Sequence, residues 1–239
     1  MKAAILAAGF GERLRAGGVE TPKALVTVGG RPLLAHALAA AAEAGADEAV
    51  VAVNERDAAA AKACLASAPL PVRWLRRTTA SSLETFSNLA LVLLGEGARH
   101  AIVAMVDGVF PPGAPARFAR GASRIVRGDP GAPEGLIGVT RRHDEDRPLR
   151  VLAGENGRIL AIGPGAEASP LATAGLYLLP ERALRRGPEI LAAGGAALRD
   201  LLSALVREGV VLEAFDLGDV VDVDRPDDLA AAEEVAGCA

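Results

Sequence analysis

The stretch ILAAGFGERLRAGGVETPKAL, residues 5–25, places Gly9, Gly11, two arginines and a lysine after a short apolar run. Residues 2–7 are typical of a short buried strand that ends just before Gly9. Ligands of α/β proteins bind at the carboxyl ends of parallel strands, where glycines let backbone amides approach anionic oxygens closely. The stretch therefore indicates either an ordinary turn after a strand or a loop that holds phosphate.

Residues 1–110 alternate short apolar runs with helical patterns. The twenty residues after the first strand read as a loop, because glycine pairs and Pro22 interrupt them. Ser81 and Glu84 form a capping box. A βαβαβαβ order with apolar strands is typical of a parallel sheet covered by helices on both faces. Strands are predicted at 2–7, 47–54, 70–75 and 100–107, and helices within 31–45, 56–67 and 78–97.

The sequence pattern of the second half differs from that of the first and begins with predicted strands joined by turns. Asn156-Gly157 predicts a hairpin, and 127–135 is the most loop-like stretch. Asp224 is predicted to cap the last helix, with Pro226 in its first turn. No internal repeat or disordered linker divides the chain. Strands are predicted within 134–142, 148–163, 171–180, 210–215 and 219–223, and helices at 181–193, 197–208 and 225–236.

The chain has 239 residues, of which 51% are hydrophobic and 23% charged, and a net charge of −4. This composition is typical of a globular protein. No broad basic face is implied, so nucleic acid is not an expected partner. The N-terminal apolar run is too short for a signal peptide, and no stretch approaches membrane-spanning length. Cys64 and Cys238 lack metal-ligand spacing and indicate free thiols in a reducing compartment. We expect a cytoplasmic protein without a membrane partner.

Two common phosphate motifs do not fit the glycine loop. A dinucleotide fingerprint needs glycine at position 14, where Leu14 stands, and no G-x-x-x-x-G-K-[ST] sequence occurs. The remaining alternative from the loop alone is a plain turn in which Arg13, Arg15 and Lys23 are solvated charges.

The longer string decides between these alternatives. LAAGFGERLR, followed by TPKALVTVGGRPLL, resembles the sugar-1-phosphate nucleotidyltransferases and MobA-like NTP transferase domains, whose signature is L-A-A-G-x-G-x-R, then P-K-x-L, then G-(R/K)-P. These enzymes join a nucleoside triphosphate to a phosphate monoester. The resemblance implies a single three-layer α/β/α domain over 1–239 with a Rossmann-like, mostly parallel mixed sheet. It also implies a nucleotide-binding half, 1–110, and an acceptor-binding half, 111–239.

Further motifs extend the resemblance along the chain. TTASSL (78–83) is similar to the family's base and ribose segment, although Thr78 and Ser81 replace its glycines. VAMVDGVF (103–110) and VVDVDRPDDL (220–229) are similar to two segments whose aspartates hold magnesium, which here are Asp107 and Asp222. ENGRILAI and TAGLYLLP match further family strands. The nucleotide-binding residues implied are Leu6, Ala7, Ala8, Gly9, Gly11, Arg13, Lys23, Thr79 and Ser82.

The resemblance implies catalysis by Arg13, which cradles the triphosphate, and by Lys23, which places charge near the α-phosphate. With Mg²⁺ they would promote attack of an acceptor phosphate on the α-phosphorus and release of pyrophosphate. No general base is needed, and the three histidines, at 36, 100 and 143, are predicted to be structural or solvated. Trp74 and Tyr177 are predicted to be core residues.

The acceptor stays open, because the family's E-K-P segment, whose lysine contacts the sugar phosphate, is replaced by AIGPGAEASP (161–170). Arg141, Arg142 or Arg158 could bind the phosphate instead. A sugar-1-phosphate is the expected acceptor. The alternatives are a cytidylyltransferase for a phosphocholine-like or molybdenum-cofactor acceptor, and a nucleotide-binding regulatory domain without activity. The sequence predicts neither the base nor the oligomeric state.

Overall fold

The computed structural model describes residues 1–65, 68–142 and 148–237. The strands are β1 (Lys2–Ala7), β2 (Thr27–Val28), β3 (Arg31–Pro32), β4 (Glu48–Val53), β5 (Val72–Arg76), β6 (His100–Met105), β7 (Gly108–Val109), β8 (Gly135–Thr140), β9 (Val151–Ala153), β10 (Ile159–Ile162), β11 (Ala172–Pro180), β12 (Leu212–Asp216) and β13 (Val221–Asp222). The helices are α1 (Glu12–Ala16), α2 (Leu33–Glu43), α3 (Ala58–Cys64), α4 (Ser82–Gly95), α5 (Ala114–Val126), α6 (Glu181–Ala192), α7 (Leu198–Arg207) and α8 (Asp228–Val235).

A seven-stranded sheet in the order β12-β8-β11-β6-β1-β4-β5 forms the centre of the described chain. β5, β4, β1 and β6 pair in parallel, as do β8 and β12. β11 runs antiparallel to both of its neighbours, β6 and β8. The sheet is therefore mixed and mostly parallel, as the sequence predicts.

The two faces of the sheet are covered by different helices. Ala3 and Ile5 of β1 contribute to a core that also contains buried residues of α2, α5 and α8. Ala4 and Leu6 point the other way and share a core with residues of α4, α6 and α7. Alternate residues of a strand face opposite sides of the sheet, so an apolar β1 is buried on both. The three-layer α/β/α prediction is confirmed.

Two helical segments differ from the sequence prediction. The stretch expected to be loop after β1 contains α1 and a 3-10 turn over Lys23–Leu25. The pattern also did not predict α5. Three prolines in 111–115 obscure this helix, although Phe118, Ala122 and Ile125 are buried on one side of it. Gly113, at φ 73°, precedes its first turn.

Of three local predictions, the helix cap at Ser81 and the hairpin are confirmed, and the cap at Asp224 is wrong. Glu84 N donates to Ser81 Oγ at 3.1 Å, so Ser81 caps α4 as expected. Strands β9 and β10 pair around Asn156-Gly157, which confirms the hairpin. The prediction that Asp224 caps the last helix is wrong. The helix begins at Asp228, whose carboxylate accepts hydrogen bonds from the backbone amides of Asp224 and Arg225.

Other expectations concern single residues. Cys64 is a free thiol whose Sγ donates to Ala61 O, whereas Cys238 and His143 lie outside the described residues. His36 Nε2 hydrogen-bonds Val28 O at 3.0 Å and so ties α2 to β2. Burial lowers the pKa of His36, an effect that this backbone contact opposes. Within the described ranges, no helix has the length and apolarity needed to cross a bilayer.

Candidate active site

The glycine loop lies where β1 ends, at the carboxyl edge of the parallel strands. Gly11 has φ 63°, a backbone conformation that glycine adopts without strain, and it directly precedes α1. A Cβ atom at this position would lie 3.0 Å from Lys23 Cβ. Glycine at position 11 therefore both allows the turn and lets the segment with Lys23 pack directly against it.

Lys23 forms the centre of a charged cluster. Its Nζ donates to Asp107 Oδ2 at 2.7 Å and also to Asp224 Oδ1. The Lys23 side chain is only 10% exposed. Burial alone would lower the pKa of this ammonium group, but the charges and hydrogen bonds of Asp107 and Asp224 outweigh burial and raise its pKa. Lys23 is thus a fixed positive charge at the end of β6.

Asp224 connects this lysine to the glycine-loop arginine. Arg13 Nη1 donates to Asp224 Oδ2 at 2.9 Å, while the other carboxylate oxygen accepts from Lys23. The Arg13 side chain is 59% exposed, so much of its guanidinium faces solvent. Asp224 is therefore not the helix cap that the sequence predicts. It orients the two basic residues of the site.

A short two-stranded ladder brings the aspartates together. In the β7–β13 pair, Asp222 lies opposite Gly108, and Val223 N donates to Asp107 O at 3.0 Å. A Cβ on Gly108 would lie 3.7 Å from Asp222 Oδ1, and one on Gly175 would lie 3.8 Å from the same oxygen. The Asp222 carboxylate is thus held between glycines of β7 and β11, beside the end of β6.

Two adjoining cavities open at this edge. The glycine-loop cavity, of about 340 Å³, is lined by the loop, Arg13, Lys23 and Asp224. The Asp222 cavity, of about 180 Å³, is lined by Asp222, Tyr177 and residues of α7. Ser82, Met105 and Asp107 line both cavities. Asp107 therefore lies at the junction of two compartments, only one of which contains the glycine loop.

The fold, the glycine loop and the charged cluster agree with a sequence profile of the MobA-like NTP transferase domain, which matches residues 3–207. The chain belongs to this family. It is 35% identical over 239 residues to the bifunctional IPC transferase and DIPP synthase of Rubrobacter xylanophilus, covering 98% of this chain and 51% of that protein. This NTP transferase domain thus spans about half the length of that relative.

Two further comparisons support the assignment. The domain is 34% identical over 191 residues to the CMP-5'-(3-aminopropyl)phosphonate synthase of Streptomyces rubellomurinus, covering 77% of this chain and 29% of that protein. Its fold is similar to that of the inositol-1-phosphate CTP transferase from T. maritima, with a TM-score of 0.76 and 20% identity over 99% of this chain and 95% of that one. The nucleotidyltransferase family and its fold are therefore those expected from the sequence.

Most of the nucleotide-binding residues expected in this NTP transferase domain lie around the glycine-loop cavity. The side chains of Ala7 and Ala8 are instead buried on opposite faces of the sheet, so only their backbone could contact a ligand. Thr79 shares a 2.6 Å hydrogen bond with Thr85, and Ser82 Oγ accepts from Leu198 N. These two hydroxyls thus already have structural partners. The expected nucleotide-binding residues that line the cavity are Leu6, Gly9, Gly11, Arg13, Lys23, Thr79 and Ser82.

Besides Asp224, sequence reasoning missed Phe10 and Arg199 as residues of the site. Phe10, between the loop glycines, lines the glycine-loop cavity, and the Arg56 guanidinium lies 5.6 Å from its ring centroid. The position of Phe10 between the two motif glycines could have identified it from the sequence. Arg199 of α7 lines the Asp222 cavity. No motif marks it, because only the packing of α7 brings it there.

Tyr177 is buried, as predicted, and is also part of the Asp222 cavity wall. Burial raises the pKa of its phenol despite a hydrogen bond with Thr173, and the charges of Asp222 and Asp107 raise it further. The group therefore remains neutral at ordinary pH. A neutral phenol beside two carboxylates supplies a hydrogen-bonding group without changing the charge of the cavity.

The donor set suits magnesium. Asp107 and Asp222 offer carboxylate oxygens to one cavity, and Mg²⁺ commonly takes one or two carboxylates while phosphate and water complete its shell. Across the described ranges, no group of three or more His, Cys, Asp or Glu residues forms a self-sufficient metal site. The residues thus fit a metal that binds together with a phosphate ligand.

Proposed function

We propose that this NTP transferase domain transfers a nucleoside monophosphate from a nucleoside triphosphate to a phosphate-monoester acceptor and releases pyrophosphate. The observation that carries the proposal is the junction of two cavities at Asp107, with Lys23 and Arg13 on the glycine-loop side. A transferase needs separate sites for its two substrates and a shared place where they react. The two cavities can serve as the separate sites, and their junction at Asp107 can serve as the shared place.

The reaction is a substitution at the α-phosphorus. An oxygen of the acceptor phosphate forms a bond to the α-phosphorus, and the bond from that phosphorus to the bridging oxygen of the β-phosphate breaks. The electron pair leaves with pyrophosphate. The attacking phosphate is already ionised, so no protein base has to remove a proton. Among the residues that the structure describes, those lining the two cavities include no histidine.

Charge neutralisation is the main task of the protein in such a reaction, because both substrates are anions. The backbone amides of the glycine loop and the guanidinium of Arg13 bind the β- and γ-phosphates. Lys23 places its ammonium group near the α-phosphate, where negative charge develops. Asp224 holds both cations in position before the nucleotide arrives.

We propose that Asp107 and Asp222 hold a magnesium ion when the nucleotide is bound. Bound there, the metal would neutralise phosphate charge and fix the positions of the two reacting groups. Asp107 now hydrogen-bonds Lys23. Nucleotide binding therefore requires Asp107 to share its charge between the lysine and the ion.

For the substrates, we propose CTP and the phosphate of a sugar-like polyol. Two of the compared proteins are named for cytidine nucleotides, and one of these is named for inositol 1-phosphate. A sugar-1-phosphate is the next candidate, since the sequence motifs are those of enzymes that use such acceptors. Phosphocholine and a phosphonate represent the acyclic alternative.

The test is pyrophosphate release by the purified chain with magnesium. Five nucleotides, namely ATP, CTP, GTP, UTP and dTTP, are each combined with inositol 1-phosphate, glucose 1-phosphate, mannose 1-phosphate, phosphocholine and 3-aminopropylphosphonate. Release is expected with CTP and inositol 1-phosphate. The Lys23→Met variant should lose it, while Lys62→Met, a change at an exposed residue of α3, should retain it. Nucleotide binding without release from any pair would instead favour a regulatory domain.

A further inference from the structure

The Asp222 cavity presents an electrostatic problem for its proposed ligand. An acceptor phosphate enters a space whose wall contains the carboxylates of Asp107 and Asp222. The E-K-P lysine expected after the hairpin is absent from this chain, and the segment contains Gly163 and Pro164 instead. Both residues line a different space, the hairpin groove of about 780 Å³ between β9–β10 and α6–α7. Besides the magnesium ion proposed above, a basic side chain for the acceptor phosphate would therefore have to come from another segment of the chain.

We infer that Arg199 binds the acceptor phosphate, an inference that rests on the proposed function. Among the described residues that line the Asp222 cavity, Arg199 is the one with a basic side chain. Arg199 is exposed, and across residues 1–65, 68–142 and 148–237 its guanidinium forms no side-chain hydrogen bond or ion pair. Its planar group is therefore available for bidentate contact with a phosphate.

The backbone at Arg199 is fixed by contacts on both sides. Leu198 N donates to Ser82 Oγ at 3.0 Å, and Leu83 N donates to Ala196 O at 3.3 Å, so the starts of α4 and α7 are joined. Asp200 Oδ2 accepts from the amides of Ala196 and Ala197. Its carboxylate is thus used as a cap. Ser82 itself borders both cavities, so these contacts hold the backbone of Arg199 close to the junction.

The arginines considered from the sequence alone do not occupy this position. Arg141, Arg142 and Arg158 line neither the glycine-loop cavity nor the Asp222 cavity. Arg158 forms a β-bridge with Glu213 beside the hairpin. Arg207 provides a comparison on the same helix as Arg199. Both arginines are exposed and line the hairpin groove, but of the two only Arg199 also lines the Asp222 cavity.

The kinetic test compares Arg199→Met and Arg199→Lys with Arg207→Met. For Arg199→Met, KM for the acceptor should rise by about 10- to 100-fold, the loss expected for a charge-assisted contact, while KM for the nucleotide stays within about twofold. Arg199→Lys should recover part of the loss, and Arg207→Met should match the wild type. An unchanged acceptor KM in Arg199→Met, or a rise in nucleotide KM instead, would overturn the inference.

A second measurement needs no turnover and separates this inference from the proposed function. Phenylglyoxal labelling of Arg199 and Arg207 is followed by peptide mass spectrometry, with and without inorganic phosphate. Phosphate should slow labelling of Arg199 at least severalfold and leave Arg207 unaffected. Equal labelling of Arg199 with and without phosphate would refute the inference, even in an active enzyme. Protection in a protein without transferase activity would support the phosphate site and count against the proposed function alone.

Discussion

Lys23 Nζ lies 2.7 Å from Asp107 Oδ2, although 84 residues separate them in the chain. One residue follows the glycine loop and the other follows β6, so the contact forms only when β1 and β6 pair in parallel. The same lysine also binds Asp224, from the segment before α8. A single ammonium group is therefore shared by two carboxylates at the edge of the sheet.

The first prediction concerns stability. Lys23→Met should lower the free energy of unfolding by about 3 kcal/mol, because it leaves two poorly solvated carboxylates side by side. Adding Asp224→Asn should recover part of that loss, since the remaining repulsion disappears and the two changes are coupled. Urea unfolding of the single and double variants measures both. Strictly additive losses would show that the two residues do not interact as described.

The second prediction concerns the positioning role of Asp224. If Asp224 orients Arg13 and Lys23, Asp224→Asn should reduce kcat/KM for the nucleotide by about 10- to 100-fold, the loss typical of a misplaced charged group, with little change in Tm. Asp219→Asn, an exposed change in the same segment, serves as the control. A fall in Tm with unaltered kinetics would show instead that Asp224 supports the fold without positioning Arg13 and Lys23.

The third prediction uses two glycines that tolerate a methyl group equally well. A Cβ on Gly9 or on Gly95 would meet no heavy atom within 4 Å. Gly9→Ala should therefore fold with near-normal stability, yet raise KM for the nucleotide about tenfold or more, because its methyl group enters the space where phosphate approaches the backbone. Gly95→Ala, at the end of α4, should leave both properties unchanged. Equal kinetics in the two variants would argue against phosphate binding at the loop.

The fourth prediction concerns the metal. Removal of divalent ions with EDTA should abolish pyrophosphate release, and Mg²⁺ should restore it. Asp222→Asn should raise the Mg²⁺ concentration needed for half-maximal activity at least about tenfold, because one of two carboxylate ligands is lost. Asp216→Asn, exposed at the end of β12, should not change it. Manganese binding measured by EPR, with a non-hydrolysable CTP analogue present, provides a readout independent of turnover.

The sequence predicted the main sheet because its strands are apolar and regularly spaced, and those features depend only on local pattern. It also predicted Arg13, Lys23, Asp107 and Asp222 as a group, through motifs whose spacing is visible in the chain. The structure brings these residues to one edge. Their roles in binding and catalysis remain predictions until the variants above are measured.

What the sequence did not predict depends on packing. Asp224 resembles a helix cap, since an aspartate two residues before Pro226 fits that role, and only its contact with Arg13 and Lys23 shows otherwise. Arg199 has no motif, because its place beside Asp222 results from the packing of α7 against the start of α4. Such contacts join distant segments, and no local pattern encodes them.

The most direct test of the central claim is ³¹P NMR of the wild-type protein with CTP, inositol 1-phosphate and magnesium. Attack at the α-phosphorus predicts that pyrophosphate and a cytidine diphosphate-linked product appear in equal amounts, and that Asp107→Asn produces neither. Inorganic phosphate with CDP, a product of attack at the γ-phosphorus, would contradict the account. So would a spectrum that stays unchanged with every nucleotide and acceptor of the panel.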